Sequence, residues 1–250
     1  MSGRFLVFGD IHGEWQRLAD LLEQVKPDYE WDEVVFLGDY VDRGPEPKRV
    51  LDYLMQLPQR DNIHLLRGNH ECMLWDAFAE FWNAHYALSG AVSNIDWWKR
   101  EGGSESFRQL SGSVEEFKKY ADFVNNLPLM LEADAAGRTY IFAHAGVDPD
   151  VPLDDQRDGD LVHGRYLSMR YKNHEPIKYL EGLGELANVT VVAGHTPTCK
   201  VIEGCYEPIV TPEVIFMDTG SYMPEGHISC MDLISRQIWQ SRSIPVMLNN

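Results

Sequence analysis

Short apolar runs alternate with polar, glycine-containing turns over the first 70 residues of the chain. The runs Phe5 to Phe8, Glu33 to Leu37 and Asn62 to Leu66 each end in such a turn, and their length predicts buried β-strands. Apolar residues then recur at helical spacing, most clearly from Trp15 to Val25 and from Val50 to Leu57. This alternation predicts βαβ units and a parallel sheet, so the fold class is α/β.

The pattern changes in the middle of the chain. From about residue 71 to 127, aromatic-rich segments at helical spacing are interrupted at Gly102 and Gly103, which predicts a helical insertion whose aromatic side chains belong to the core. Apolar runs then resume and predict a second sheet layer within one domain, residues 1 to 250. These runs are Thr139 to Ala143, Val189 to Ala193, Val214 to Met217 and Ile228 to Leu233.

Polar residues with metal-binding side chains follow five of the predicted strands. Ligands gather at the carboxyl ends of parallel strands, so these side chains are expected to share one site. Taken singly, a strand-end Asp is often only a helix cap and a lone His is often a satisfied core residue. The flanking glycines allow close backbone approach, which a crowded site needs and a cap does not. The series comprises Asp10, His12, Asp39, Asn69, His70, His144 and His195.

Composition narrows the classes of function. The chain has 250 residues, of which 44% are hydrophobic, enough to bury a sizeable core. A formal charge of -17 predicts that nucleic acid is not a partner. We find no signal peptide and no long apolar segment, which predicts a cytoplasmic protein without a membrane partner. Four cysteines without a C-x-x-C pair indicate neither a disulfide scaffold nor a structural zinc site.

The motif series resembles the metallophosphoesterases, in the phosphoprotein phosphatase branch and its bacterial members. The motifs are D-x-H, G-D-x-x-D-R-G, G-N-H-E, H-A-G and G-H-T, and the resemblance spans roughly residues 4 to 233. It implies an αββα sandwich of two mixed β-sheets flanked by helices. It also implies two divalent metal ions, one held by Asp10, His12 and Asp39, the other by Asp39, Asn69, His144 and His195. Manganese is expected, although iron and zinc suit the same ligands.

The same resemblance implies a reaction and the residues that perform it. A hydroxide shared by the two metals would attack phosphorus. His70, supported by Asp42, would protonate the departing alkoxide. Arg43 and Arg67 would grip the phosphoryl oxygens. We expect Arg165 to be a third phosphate ligand, although the preceding segment has a histidine where relatives usually have tryptophan.

Several functions remain open at this point. The leading prediction is a phosphatase acting on phosphoserine or phosphothreonine in proteins, with phosphotyrosine and small phosphoesters as further substrates. The alternative is a symmetrical dinucleoside tetraphosphate hydrolase, and Glu71 favours the phosphatase because those hydrolases usually have Asp there. A non-catalytic scaffold is the third candidate function, and it is disfavoured because every expected metal-ligand residue is present in the sequence. Cys230 and Arg236 have the spacing of a cysteine-dependent phosphatase but lack its glycines. The sequence gives no indication of oligomeric state.

Overall fold

Two five-stranded sheets form the centre of the protein. The computed structural model describes residues 3–57, 60–86, 94–178 and 188–242. Within this part of the chain, the strands are β1 (Phe5–Phe8), β2 (Glu33–Phe36), β3 (Ile63–Leu65), β4 (Met130–Ala135), β5 (Arg138–Ala143), β6 (Val189–Ala193), β7 (Ile209–Val210), β8 (Val214–Phe216), β9 (Ser229–Asp232) and β10 (Ile238–Gln240). Every strand predicted from the sequence is present, with ends that differ by at most one residue.

Both sheets are mixed. The first has the order β10-β9-β1-β2-β3, with β1, β2 and β3 parallel and β9 and β10 antiparallel to their neighbours. The second has the order β4-β5-β6-β8-β7, in which β5, β6 and β8 are parallel and the two edge strands are antiparallel. The predicted pair of mixed sheets flanked by helices is therefore confirmed, while β4, β7 and β10 were not predicted.

Strand β1 shows how the layers are built. Its residues are apolar on both faces, as expected of a strand covered on each side. Phe5 and Val7 pack in the apolar cluster between the two sheets, where the Phe5 ring stacks on Phe142 at 5.5 Å. Leu6 and Phe8 belong to a second cluster, between the first sheet and its helices. This burial fixes the position at which β1 ends, and hence the position of the polar residues that follow.

Helices cover the outer faces. They are α1 (Trp15–Val25), α2 (Pro47–Met55), α3 (Asn69–Tyr86), α4 (Asn94–Trp98), α5 (Ser104–Leu110), α6 (Val114–Asn125), α7 (Asp158–His163), α8 (Tyr166–Lys172) and α9 (Thr198–Val201). A π-helical turn, Lys99–Gly103, joins α4 to α5, and Gly102 interrupts it with a φ of 112°. The interruption predicted at Gly102 and Gly103 is thus present. No helix in the described ranges has the length and hydropathy required to cross a bilayer.

Candidate active site

Five turns bring the predicted donors to one end of the two sheets. Asp10 and His12 follow β1, Asp39 follows β2, and Asn69 opens α3 just after β3. The remaining two histidines follow the parallel strands β5 and β6 of the second sheet. Of these donors, only His195 is more than slightly exposed. The structure therefore assembles residues that are up to 185 positions apart, as in the hydrogen bond between Asp10 and His195.

Asp39 lies at the centre of this cluster. Its Oδ2 is 3.5 Å from His12 Nε2 and 3.9 Å from His70 Nε2. Its Oδ1 is 3.2 Å from His144 Nε2. One carboxylate therefore faces imidazoles on both sides, which is the position that a bridging ligand needs. Asp39 has a φ of 53°, in the left-handed region that residues other than glycine rarely adopt.

Asn69 joins the two histidines of the second sheet. Its Oδ1 is 3.0 Å from His144 Nε2 and 2.9 Å from His195 Nδ1. Burial and the charge of His144 lower the pKa of His195 to about 3, so its imidazole is neutral and available as a ligand. Asp10 Oδ2 accepts a hydrogen bond from the His195 backbone N–H at 3.0 Å. Burial and neighbouring Asp218 raise the pKa of Asp10 well above its usual range.

The arrangement fits divalent metal ions. Ligand atoms of His12, Asp39 and His70 lie within 4.8 Å of one another, as do those of Asp39, His144 and His195. Two buried atoms of this cluster, Asp10 Oδ1 and His195 Nε2, have no hydrogen-bond partner among the described residues. Carboxylate, amide and imidazole ligands of this kind suit manganese, iron and zinc alike. His70 thus lies inside the first compact group, whereas Asp10 lies outside both.

Two glycines keep the carboxylates accessible. A Cβ at residue 68 would lie 2.3 Å from Asp39 Oδ1, and a Cβ at residue 194 would lie 2.0 Å from Asp10 Oδ1. Any larger side chain would therefore occupy the space in front of these oxygens. The glycines of the motifs are required by this close approach, as the sequence indicated.

His70 is held by a buried network. Its Nδ1 is 2.6 Å from Asp42 Oδ2, and the same oxygen accepts a hydrogen bond from the indole Nε1–H of Trp98 at 2.7 Å. The Asp42 backbone N–H donates to Ser106 Oγ at 2.9 Å. Burial opposes protonation of His70, but the carboxylates of Asp39 and Asp42 outweigh it and raise its pKa. Nδ1 is thereby fixed, and Nε2 points toward the donor cluster.

Arg43 is the arginine nearest to the donors. Its Nη1 is 2.8 Å from His12 Nε2, and its guanidinium lies 4.4 Å from the ring centroid of Tyr222. Its backbone N–H donates to the carbonyl of Gly102 in the π-helical turn at 3.0 Å. A Cβ at Gly102 would lie 2.8 Å from Arg43 Cγ, so only glycine allows this approach.

The other two predicted arginines lie farther out. Arg67 is half-buried, and its Nη1 donates to Asn125 Oδ1 at 2.9 Å. It borders a cavity of about 320 Å³ that His163 also lines. Arg165 is exposed, with Nη1 3.5 Å from Thr196 Oγ1. Within the described ranges, neither arginine forms an ion pair with a carboxylate, which leaves both guanidinium groups available to an anion.

This geometry agrees with the comparison of the sequence with known families. Residues 3–206 match the family model described as calcineurin-like phosphoesterase. The chain belongs to this family. The prediction of a metallophosphoesterase is thus confirmed at the level of the family, and the five motif turns are the segments that the structure brings together.

The relatives of this calcineurin-like phosphoesterase are named as serine/threonine-protein phosphatases or as a dinucleoside tetraphosphatase. The serine/threonine-protein phosphatase 2B catalytic subunit A2 of Saccharomyces cerevisiae is 33% identical over 58% of this chain and 20% of its own length. The bis(5'-nucleosyl)-tetraphosphatase PrpE (asymmetrical) of Geobacillus thermodenitrificans is 25% identical over 86% of this chain and 84% of its own. The chain spans a fifth or less of the length of the eukaryotic phosphatases that it matches.

A solved structure extends the comparison to the fold. It is described provisionally as a diadenosine tetraphosphatase and superposes with a TM-score of 0.63 at 20% identity, covering 98% of this chain and 96% of that one. The similarity shows that the fold of the phosphoesterase is shared along nearly the whole chain.

Glu71 has a structural role that its motif alone did not reveal. Its carboxylate accepts hydrogen bonds from the backbone N–H groups of Asp39 and Tyr40, each at 2.8 Å, and of Gly68 at 2.9 Å. Burial and neighbouring Asp39 raise its pKa to about 7. Glu71 thus ties the second turn to the third and fixes the position from which Asp39 extends.

Trp98 and Tyr222 are the residues at the site that sequence reasoning missed. Trp98 was assigned to the core with the other aromatic residues of the insertion, and it is fully buried, but it also donates to Asp42. Tyr222 lies edge-on to His12, with ring centroids 5.1 Å apart. No spacing in the sequence marks either contact, because both join segments that are distant along the chain.

Cys230 is buried in β9, and burial raises its thiol pKa well above the usual range, which agrees with its exclusion as a nucleophile.

Proposed function

We propose that the protein is a metal-dependent phosphomonoesterase acting on phosphoserine and phosphothreonine in proteins. The observation that carries this proposal is the buried network in which Trp98 and Asp42 hold His70 Nδ1. A serine or threonine alkoxide is strongly basic and leaves readily only when it is protonated. The phosphate group released from an anhydride is far less basic and needs no such proton. An oriented imidazole with a raised pKa therefore supports an ester substrate.

In this proposal the donor cluster holds two divalent ions. The ligands are those that the family resemblance implies: Asp10, His12 and Asp39 for one, and Asp39, Asn69, His144 and His195 for the other. When bound, the ions supply Lewis-acid polarisation of the phosphoryl oxygens and lower the pKa of a coordinated water. The position of Asp39 between the two groups of imidazoles supports its part as the shared ligand.

The remaining residues of the site act on the substrate directly. Arg43, Arg67 and Arg165 bind the non-bridging phosphoryl oxygens, because their guanidinium groups form no ion pair with a carboxylate of the described residues and match the geometry of a phosphoryl group. His70 donates the proton on Nε2 to the departing oxygen. Asp42 keeps the other proton on Nδ1, so the ring presents the correct nitrogen to the substrate.

A dinucleoside tetraphosphate is the second candidate substrate. The observation that favours it is the similarity to the Geobacillus thermodenitrificans tetraphosphatase, which covers more than four fifths of both chains. That relative is named as asymmetrical, whereas the alternative predicted from the sequence was a symmetrical hydrolase. Cleavage of the tetraphosphate would use the same donor cluster and depend much less on His70.

The two candidates are separated by one set of assays. The purified protein with added manganese would be tested on a phosphoserine peptide, p-nitrophenyl phosphate and diadenosine tetraphosphate. We expect His70→Asn to slow hydrolysis of the peptide by about 10²- to 10⁴-fold, the usual contribution of a general acid. His174→Asn is the matched control, since His174 is exposed and has a φ of 58°, which asparagine tolerates.

Each outcome has a defined meaning. Peptide turnover that depends on His70 supports the proposal. Cleavage of the tetraphosphate alone, equally fast in the His70→Asn variant, selects the second candidate. The absence of turnover with manganese, iron and zinc would reject both and favour the non-catalytic scaffold.

A further inference from the structure

A basic pocket of about 220 Å³ lies next to the proposed site. Three cationic side chains line it: Arg165, Lys172 and Lys200. Two hydroxyl groups, those of Ser168 and Thr196, lie in its wall, and both residues are buried. Met169 and Val201 complete the described lining.

The charge of this pocket contrasts with that of the chain. The protein carries 39 acidic and 22 basic residues. None of the described residues that line this pocket is acidic. Three positive charges held together without a carboxylate repel one another, and an anion would relieve that repulsion.

Local contacts keep the cations together. Lys172 Nζ donates to the carbonyl oxygen of Lys200 at 3.0 Å, which ties the end of α8 to α9. Ser168 Oγ lies 3.4 Å from Thr196 Oγ1 and donates to the Arg165 carbonyl at 3.1 Å. These contacts occupy one donor of Lys172 and leave its other donors available.

The pocket lies beside the donor cluster. Thr196 directly follows His195, and Arg165 Nη1 lies 3.5 Å from the hydroxyl oxygen of Thr196. An anion that extends from the donor cluster past Arg165 would therefore enter the space between Lys172 and Lys200.

We propose that this pocket binds a second phosphoryl group of the substrate. The inference rests on the proposed function, because it takes Arg165 as a ligand of the group being hydrolysed. A phosphoryl group carries up to two negative charges and accepts several hydrogen bonds, which matches three cations and two hydroxyls better than a single carboxylate does. A doubly phosphorylated peptide and the polyphosphate chain of a dinucleotide both offer this chemistry.

Binding without turnover is the first test. Calorimetry on the manganese-loaded protein would compare methylphosphonate with a series of alkylene diphosphonates of increasing length, none of which is hydrolysed. We expect one length of diphosphonate to bind tighter than methylphosphonate, and Lys172→Ala/Lys200→Ala to weaken that binding about tenfold. Methylphosphonate binding should stay within about twofold, since it does not reach the lysines.

The control variant removes the same charge elsewhere. Lys118→Ala/Lys119→Ala, on α6, also deletes two lysines but lies outside the pocket. Equal weakening by both double variants, equal weakening of methylphosphonate, or a diphosphonate series with no preferred length would each overturn the proposal. If the protein binds one diphosphonate preferentially but hydrolyses no phosphoester, the proposed binding pocket is supported and the proposed function is rejected.

Kinetics then identify the source of the second phosphoryl group. KM for a doubly phosphorylated peptide and KM for diadenosine tetraphosphate would be measured in the wild type and in Lys172→Ala/Lys200→Ala, with p-nitrophenyl phosphate as the reference that has a single phosphoryl group. A KM that rises about tenfold for one of them, with the reference unchanged, identifies that substrate class. Unchanged KM values for both would contradict the proposal.

Discussion

Replacing Trp98 with phenylalanine tests whether the helical insertion takes part in proton donation. The indole Nε1–H donates to Asp42 Oδ2 at 2.7 Å, and both residues are fully buried. Phenylalanine keeps an aromatic ring in the layer where the indole stacks parallel to Phe117 at 6.2 Å. Trp98→Phe therefore removes one hydrogen-bond donor while preserving most of the packing.

The loss of stability follows from the hydrogen bond that the Asp42 carboxylate loses. Asp42 Oδ1 already has no hydrogen-bond partner, so Oδ2 would retain only His70. Withdrawing a donor from a buried charged acceptor costs about 1.5–3 kcal/mol of stability. The space left by the smaller ring adds about 1 kcal/mol, which gives about 2.5–4 kcal/mol in all. Trp97, which is 42% exposed on the same helix, provides the control, because Trp97→Phe should cost less than about 0.5 kcal/mol.

The leaving-group dependence separates positioning from simple destabilisation. An alkyl phosphate needs a proton on its leaving oxygen, whereas p-nitrophenolate leaves with little help. If Trp98 orients Asp42 and thereby His70, we expect kcat to fall about tenfold for the alkyl phosphate and about twofold for p-nitrophenyl phosphate at a temperature where the variant is folded. An equal loss on both substrates, or the same loss in Trp97→Phe, would refute the reasoning.

Three further predictions concern other parts of the chain. Burial alone would raise the pKa of Asp32, but hydrogen bonds from Arg4 and from neighbouring backbone N–H groups lower it. The ionised carboxylate therefore stabilises the folded protein above the unfolded pKa of about 3.9, and this stabilisation is lost as the pH falls through the folded pKa. In urea unfolding, Asp32→Asn should cost about 2 kcal/mol at neutral pH and almost nothing in strong acid. Glu71→Gln places an amide N–H₂ against backbone donors and should cost about 2 kcal/mol, measured in the same way. Gly194→Ala brings a methyl group to 2.0 Å from Asp10 Oδ1, so manganese should raise the melting temperature of the wild type but not of the variant.

Controls for these variants come from open positions of the chain. Glu115→Gln, at the start of α6, should leave the free energy of unfolding unchanged within about 0.5 kcal/mol. A Cβ at Gly159 meets no atom within 4 Å, so Gly159→Ala should retain the shift in melting temperature with manganese. A pH-independent loss in Asp32→Asn, full stability in Glu71→Gln, or a manganese shift that survives in Gly194→Ala would contradict the respective argument.

Most of the strands that could be predicted are buried on both faces, and the partly buried strand Ile63–Leu65 is an exception. The run Phe5–Phe8 is apolar throughout and Val189–Ala193 is apolar except for Thr190, because the sandwich covers them on each side. The edge strand Met130–Ala135 carries Glu132 and Asp134 and is only partly buried, so its sequence has no such run. Its pairing with β5 comes from tertiary structure, and propensity alone does not reveal it.

The donor residues could be predicted because most of them stand beside a glycine at the end of a strand. The residues that position them carry no comparable mark. Trp98 lies 56 positions from Asp42, and its helical spacing is equally typical of a core residue. Glu71 was weighed only as a difference between two families, although it holds the backbone of two turns. Such contacts depend on how separate segments pack, which sequence spacing does not determine.

The electrostatic balance of the site supports the proposal that these donors hold metal ions rather than form a network of ion pairs. Asp10 and Asp218 are both fully or almost fully buried, and each has a carboxylate oxygen without a hydrogen-bond partner. Burying carboxylates beside one another is unfavourable unless a cation compensates them. Burial and the nearby positive charge of Arg43 lower the pKa of His12, so this imidazole is neutral and does not supply the missing charge. Within the described residues, the cluster combines surplus carboxylate oxygens with the neutral imidazoles of His12 and His195, a combination that divalent cations satisfy.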